Sequence, residues 1–277
     1  MNVGQHARDD AGDAMRYGVL AVGHGTRATA GIAEFHSVVE QLAARLGPTP
    51  VEPSFLELAE PTIAVGLERL LDRGAEHVIV VPLLLFTAAH AKDDIPGAVV
   101  CAPVAAERGL LWTQTEPIGL DPRLVELSVQ RYEEAVAKLP SCVAAEETAS
   151  PISDAETLLL LVGRGAGDPA AVAEMHEFAR LRSAARPVGA IDVAFTALAE
   201  PLVEQVLPRI AASNYRRIVV QPNLLFHGQL LARLQSQIAA VAATTPTKQW
   251  TTTAHFGPDR LVVEALVERI TQVRQGY

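Results

Sequence analysis

The 277-residue chain carries 23 Lys+Arg against 32 Asp+Glu, a net charge of −9, with 49% hydrophobic residues but only 5% aromatic ones. That length suits two domains of about 100–200 residues each. The acidic balance excludes a protein that grips nucleic acid through a basic face, and the apolar content excludes a disordered chain.

In chain order, residues 1–16 are polar, with Arg8, Asp9, Asp10 and Asp13, and read as a frayed tail rather than a secretory leader. Gly18 to Val22 is a short apolar run, predicted as a strand, that ends in Gly23-His24-Gly25. Ile32, Phe35, Val38, Val39 and Leu42 follow at helical steps. Val51 to Leu56 reads as a strand, and Pro61 is placed in the first turn of the next helix. Val78 to Leu85 reads as a buried strand, Leu110 to Thr115 as a fourth, and Leu124 to Leu139 as a closing helix. The stretch LPSCVAAEETASPISDAE, from Leu139 to Glu156, has linker chemistry and no apolar period.

The chain then repeats itself. Val-Gly-His-Gly at 22–25 returns as Val-Gly-Arg-Gly at 162–165, an offset of 140. The same offset relates Ala33-Glu34-Phe35-His36 to Ala173-Glu174-Met175-His176, Phe55…Leu58-Ala59-Glu60-Pro61 to Phe195…Leu198-Ala199-Glu200-Pro201, and Pro82 to Pro222. This is a duplicated domain. The boundaries expected are a tail at 1–16, a first copy at 17–139, a linker at 140–156 and a second copy at 157–277. Strands are expected in the second copy near 158–162, 190–195, 217–221 and 249–254. Strands alternating with helices specify an α/β fold with parallel sheets and right-handed crossovers. In such sheets ligands bind beyond the carboxyl ends of the strands.

His24, Glu57 and His90 fall at three successive strand ends, 33 residues apart each time. Two imidazoles and a carboxylate suit a borderline divalent metal and leave coordination positions open. The repeat supplies an internal control. The equivalents of the trio are Arg164, Ala197 and Leu230, whereas Gly23/Gly163, Phe55/Phe195, Glu60/Glu200 and Pro61/Pro201 persist in both copies. Residues kept twice are assigned to the fold, and those kept once to chemistry. By that test His36, matched by His176, is structural and Glu60 belongs to its helix start. His227 aligns with Thr87 and is left open between structural and rim duty, while His6, His77 and His255 carry no pattern.

A competing reading takes Gly23-His24-Gly25-Thr26-Arg27-Ala28 as a dinucleotide turn. The next acidic strand end lies 33 residues on rather than about 20, and a bulky His fills the gap a pyrophosphate needs. No phosphate-binding G-x-x-x-x-G-K-[ST] loop occurs. Cys101 and Cys142 lack the spacing of a disulfide scaffold or a zinc site. The longest apolar runs stop short of the roughly 20 residues of a membrane span. A soluble, cytoplasmic protein is expected, without membrane or nucleic-acid partners.

The segments VGHGTR (22–27), FLELAEPTI (55–63), VVPLLLFTAAHAKDDIP (80–96) and GLDPRL (119–124) resemble the class II tetrapyrrole chelatases, specifically the sirohydrochlorin chelatases of the CbiX/SirB type. With the degenerate second copy, the resemblance covers nearly the whole chain after the tail. It implies two tandem flavodoxin-like domains facing each other across a cleft, and insertion of Co²⁺, Fe²⁺ or Ni²⁺ into a sirohydrochlorin-type tetrapyrrole. It assigns metal binding and catalysis to His24, Glu57 and His90, with one active site per chain. No organic cofactor is implied. A monomer is expected, with a homodimer left open, and a non-catalytic metal or tetrapyrrole carrier is the alternative. The substrate bears up to eight carboxylates, so an acidic protein must gather positive charge at its cleft; Arg27, Lys92 and Arg164 are the candidates.

Overall fold

The computed structural model describes residues 16–86, 90–140 and 151–275, residue 90 as backbone only. Cys142 and His6 lie outside them. The first half holds β1 (Tyr17–Gly23), α1 (Thr29–Leu46), β2 (Val51–Phe55), α2 (Ile63–Asp72) and β3 (His77–Pro82). A π-helical turn (His90–Asp94), α3 (Ile95–Cys101), α4 (Pro103–Glu107), β4 (Leu111–Gln114) and α5 (Pro122–Ala137) complete it. The second half holds β5 (Thr157–Gly163), α6 (Pro169–Ala185), β6 (Ala190–Phe195), α7 (Val203–Ala211), β7 (Arg217–Pro222), α8 (Gln229–Ala243), β8 (Gln249–Thr252) and α9 (Arg260–Gln275). Each half carries one all-parallel sheet, ordered β2-β1-β3-β4 and β6-β5-β7-β8. This is the start of the flavodoxin-like order, as the duplicated α/β reading expects.

Leu20, Val22, Val78 and Val80 face outward onto α2 and α3, and their counterparts in the second half face α7 and α8. Val19, Ala21, Ile79 and Val81 face inward, into one continuous core shared with Leu159, Leu161 and Val219 of the other sheet. Between the two sheets lie α1, α5, α6 and α9, and the closing helices are exchanged. α5 packs on α6, β7 and β8 of the second half, while α9 packs on α1 and β3 of the first.

Two equivalent arginines lock this exchange. Arg131 on α5 donates to the carbonyls of His255 and Phe256, beyond β8, and pairs with Asp259. Arg269 on α9 donates to the carbonyls of Pro117 and Ile118, beyond β4. Both the arginines and the carbonyls they grip are related by an offset of 138, the repeat having lost two residues before its last strand. Beneath α5, Arg182 is fully buried; it donates to Ser128 Oγ and the Arg186 carbonyl and stacks over the Tyr132 ring. Burial pulls its guanidinium down to about 10.

Two local expectations are corrected, and the two halves differ at one further point. β3 ends at Pro82, not Leu85, because Leu83 to Leu85 leave the sheet to line the interdomain cavity, with Phe86 beyond them meeting Phe178 edge-on. Pro61 is not in the first turn of α2; Thr62 is its N-cap, accepting from the Val65 N–H, and Pro61 precedes the cap, joined to Glu60 by a cis peptide as Pro201 is to Glu200. The single helix α8 has a broken counterpart in the first half, where Pro103 opens α4 directly after α3. Glu60 does belong to the helix start, its carboxylate accepting the Thr62 N–H, and Glu200 repeats this at Leu202. His36 and His176 pack edge-on against Phe55 and Phe195, in keeping with a structural role. Among the described residues no helix is long and apolar enough to cross a membrane.

Truncating either Arg131 or Arg269 to Ala strips two partly buried carbonyls of a charged donor and should cost about 2–3 kcal/mol in urea unfolding. His77 is buried on β3 with Nε2 2.8 Å from Thr113 Oγ1, and burial lowers its pKa. The unfolded chain therefore binds the proton first as pH falls. Stability should be flat above about 6.5 and decline below it, and His77→Gln should flatten that decline in pH-dependent melting curves.

Candidate active site

His24 follows the last residue of β1 and Glu57 comes two residues after β2. The two loops are zipped by backbone bonds, Leu56 N–H to Gly23 O and Glu57 N–H to His24 O. Gly25 makes this approach sterically feasible: its φ is +99°, and a Cβ there would lie 1.7 Å from the Glu57 carbonyl oxygen. The result sets His24 Nδ1 3.5 Å from Glu57 Oε1, with the imidazole largely covered and the carboxylate about half exposed. His90 opens the π-helical turn after β3, and its side chain is outside what the structure describes. That turn is fixed from two sides. Gln114 Nε2 donates to the Ala91 carbonyl at 2.6 Å, and Lys92 Nζ pairs with Asp168 of the second half at 2.7 Å. Among the described residues no three His, Cys, Asp or Glu side chains form a metal-holding group; His24 and Glu57 are the two members of the expected trio that the structure brings together.

The carboxyl ends of the two sheets face each other across a cavity of about 960 Å³, lined from the first half by the His24 turn and from the second by the equivalent Arg164 turn. The charged side chains on its wall are Arg27, Arg164 and Asp168. Lys92 engages Asp168, which lowers the carboxyl pKa and raises that of the ammonium. Neither arginine forms an ion pair with a described residue. The cavity wall is thus net positive in a chain of net charge −9, as a polyanionic ligand requires. Of the three cations expected to hold substrate, Arg27 and Arg164 face the cavity, and Lys92 is committed to the seam between the halves.

Sequence reasoning missed a second tie across that seam. Glu34 on α1 accepts the His227 backbone N–H at 2.6 Å and pairs with His255 Nε2 at 3.0 Å. His227 lines the cavity. Gly31, one turn earlier, admits this loop, since a Cβ there would lie 2.2 Å from the His227 carbonyl oxygen. Glu34 was visible only as part of a repeated block. His255 gave no signal, because its partner lies 221 residues away.

The CbiX family model matches residues 18–135 and again 158–273, so each half matches separately. The chain belongs to the CbiX family. Within it, the chain is 32% identical over 225 residues to the sirohydrochlorin ferrochelatase of Priestia megaterium, covering 79% of this chain and 77% of that one. It is 29% identical to the sirohydrochlorin ferrochelatase of Bacillus subtilis, with 93% and 92% covered. The sirohydrochlorin cobaltochelatase of Priestia megaterium is 26% identical, with 93% and 80% covered. Among solved structures, SirB from Bacillus subtilis with Fe³⁺ superposes with a TM-score of 0.78 at 29% identity, covering 93% of this chain and 95% of that one.

A methyl group at Gly25 must push the Glu57 carbonyl away. Gly25→Ala should therefore weaken Co²⁺ binding at least about tenfold, measured by calorimetry. Gly165→Ala makes the same backbone fault in the half without the trio, with Ala197 O 1.8 Å from the new Cβ, and should leave metal affinity unchanged.

Proposed function

We propose that this chain is a sirohydrochlorin chelatase, a lyase that inserts Co²⁺ or Fe²⁺ into a metal-free tetrapyrrole in the cytoplasm as a monomer without organic cofactor. The observation that carries the reading is His24, held beside Glu57, lining a cavity whose two wall arginines form no ion pair among the described residues. The names of the relatives, ferrochelatases and a cobaltochelatase acting on sirohydrochlorin, support it.

The reaction exchanges one divalent ion for the two N–H protons of the macrocycle, so the site must hold a cation loosely and accept protons. Neutral imidazoles of His24 and His90 bind Co²⁺, Fe²⁺ or Ni²⁺ without adding charge, which leaves the ion able to move on to four ring nitrogens. Glu57 completes the ligand set, and its exposed carboxylate accepts a released proton. Arg27 and Arg164 take peripheral carboxylates by charge-assisted hydrogen bonds. Arg164 occupies the position equivalent to His24, so the second copy has exchanged a metal ligand for a substrate anchor. Lys92 serves chiefly by holding the turn that begins at His90, through Asp168, and reaches substrate only by exchanging that carboxylate for one of the ligand's.

Anaerobic mixing of the protein with sirohydrochlorin and Co²⁺ or Fe²⁺ should shift the visible spectrum well ahead of the uncatalysed control. Tight tetrapyrrole binding with no acceleration by any divalent ion would instead mark a carrier and overturn the reading. His24→Ala, His90→Ala and Glu57→Gln should each lower kcat by a factor of about 100 or more, with melting temperatures unchanged. Arg164→Ala should raise KM about tenfold while kcat holds.

A further inference from the structure

Leu58 and Leu198 stand out from the rest of the apolar inventory. They are 52% and 67% exposed, both line the interdomain cavity, and each is the residue that follows position 57 or its equivalent 197. Their backbones share a second peculiarity: φ is 63° at Leu58 and 62° at Leu198, and they are the only non-glycine residues with positive φ among those described. L side chains adopt that region rarely, and a γ-branched apolar residue gains nothing local there. Neither side chain contributes to the packed core. Retention in both copies therefore has no explanation in burial, even though the adjacent ligand position has diverged from Glu57 to Ala197.

The loops that present them are rigid. Leu56 and Glu57 are zipped to the β1 loop, and Thr196 and Ala197 bond in the same way to the carbonyls of Gly163 and Arg164. Gly25 and Gly165 allow the close approach in both halves. One exposed leucine from each half is thus held at a fixed position on the wall of a single cavity. That cavity is large enough for a large flat ligand, and Arg27 and Arg164, unpaired among the described residues, are complementary to carboxylates.

We propose that Leu58 and Leu198 are paired apolar jaws that grip the conjugated ring of the tetrapyrrole from the two halves of the chain, while Arg27 and Arg164 hold its carboxylates. This rests on the chelatase reading for the identity of the ring. The ordered loops place both side chains before the ligand arrives, so little conformational entropy is lost on binding. The second copy, stripped of the metal trio, keeps its half of the grip.

The test is absorbance titration of metal-free sirohydrochlorin into wild type, Leu58→Asn, Leu198→Asn and the double variant, with Co²⁺ affinity measured alongside. Asn tolerates positive φ, so these substitutions should leave the melting temperature equal or higher; Leu58→Gly and Leu198→Gly serve the same purpose should an Asn variant misfold. Ring affinity should fall about fivefold for each single change and about 25-fold for the double. Leu198→Met, which keeps the apolar surface, should restore it, and Co²⁺ affinity should not move in the Leu198 variants. Wild-type ring affinity in the folded Asn or Gly variants would overturn the jaws while leaving the chelatase reading intact. A wild-type protein that neither binds nor metallates the ring would overturn that reading instead.

Discussion

The exchange of closing helices is the constraint on which the molecule depends. α5 completes the second half and α9 completes the first, so the inward face of each sheet is covered by a helix encoded in the other copy. A sheet face left bare exposes apolar area worth about 25 cal/mol per Å², and here each copy covers only part of its own, through α1 or α6. The two halves are therefore held by one shared core, and the cavity between their strand ends has a defined shape. Arg131 and Arg269 add directionality to this packing, each satisfying two carbonyls of the loop that follows the partner sheet's last strand.

Within that frame the duplication has divided labour. Both copies keep the glycine-zipped loops, the edge-on phenylalanines and the exposed leucine at positive φ. The first copy adds the imidazoles and the carboxylate; the second adds Arg164 and Asp168. Positive charge is concentrated by pairing as much as by composition. Asp168, the one acid on the wall, is neutralised by Lys92, whereas Arg27 and Arg164 are left unpaired among the described residues. The chain's overall acidity thus coexists with a cavity suited to an anion.

Much of this was legible in the sequence because the signals were local or periodic. The 140-residue offset exposed the duplication, buried β-strand runs marked β1 to β3 and β5 to β7, and the 33-residue spacing marked His24, Glu57 and His90 as one group. Errors arose where an apolar residue had an unexpected reason to be apolar. Leu83 to Leu85 extended the strand pattern because they line the cavity. The comparison of copies assigned every twice-kept residue to the fold. That logic holds for Phe55 and Glu60, but it does not account for Leu58 and Leu198, whose exposure only coordinates reveal.

The sequence by itself determined the α/β class, the repeat, the edge of the sheet where chemistry belongs, and the residue types brought there, since each follows from spacing along one chain. Tertiary structure alone decided which copy covers which sheet, which cation remains free, and which residues meet across the seam. Glu34 and His255 lie 221 positions apart, and Lys92 and Asp168 lie 76 apart. No periodicity links such pairs, because their contact depends on how two packed layers dock rather than on the geometry of any single helix or strand.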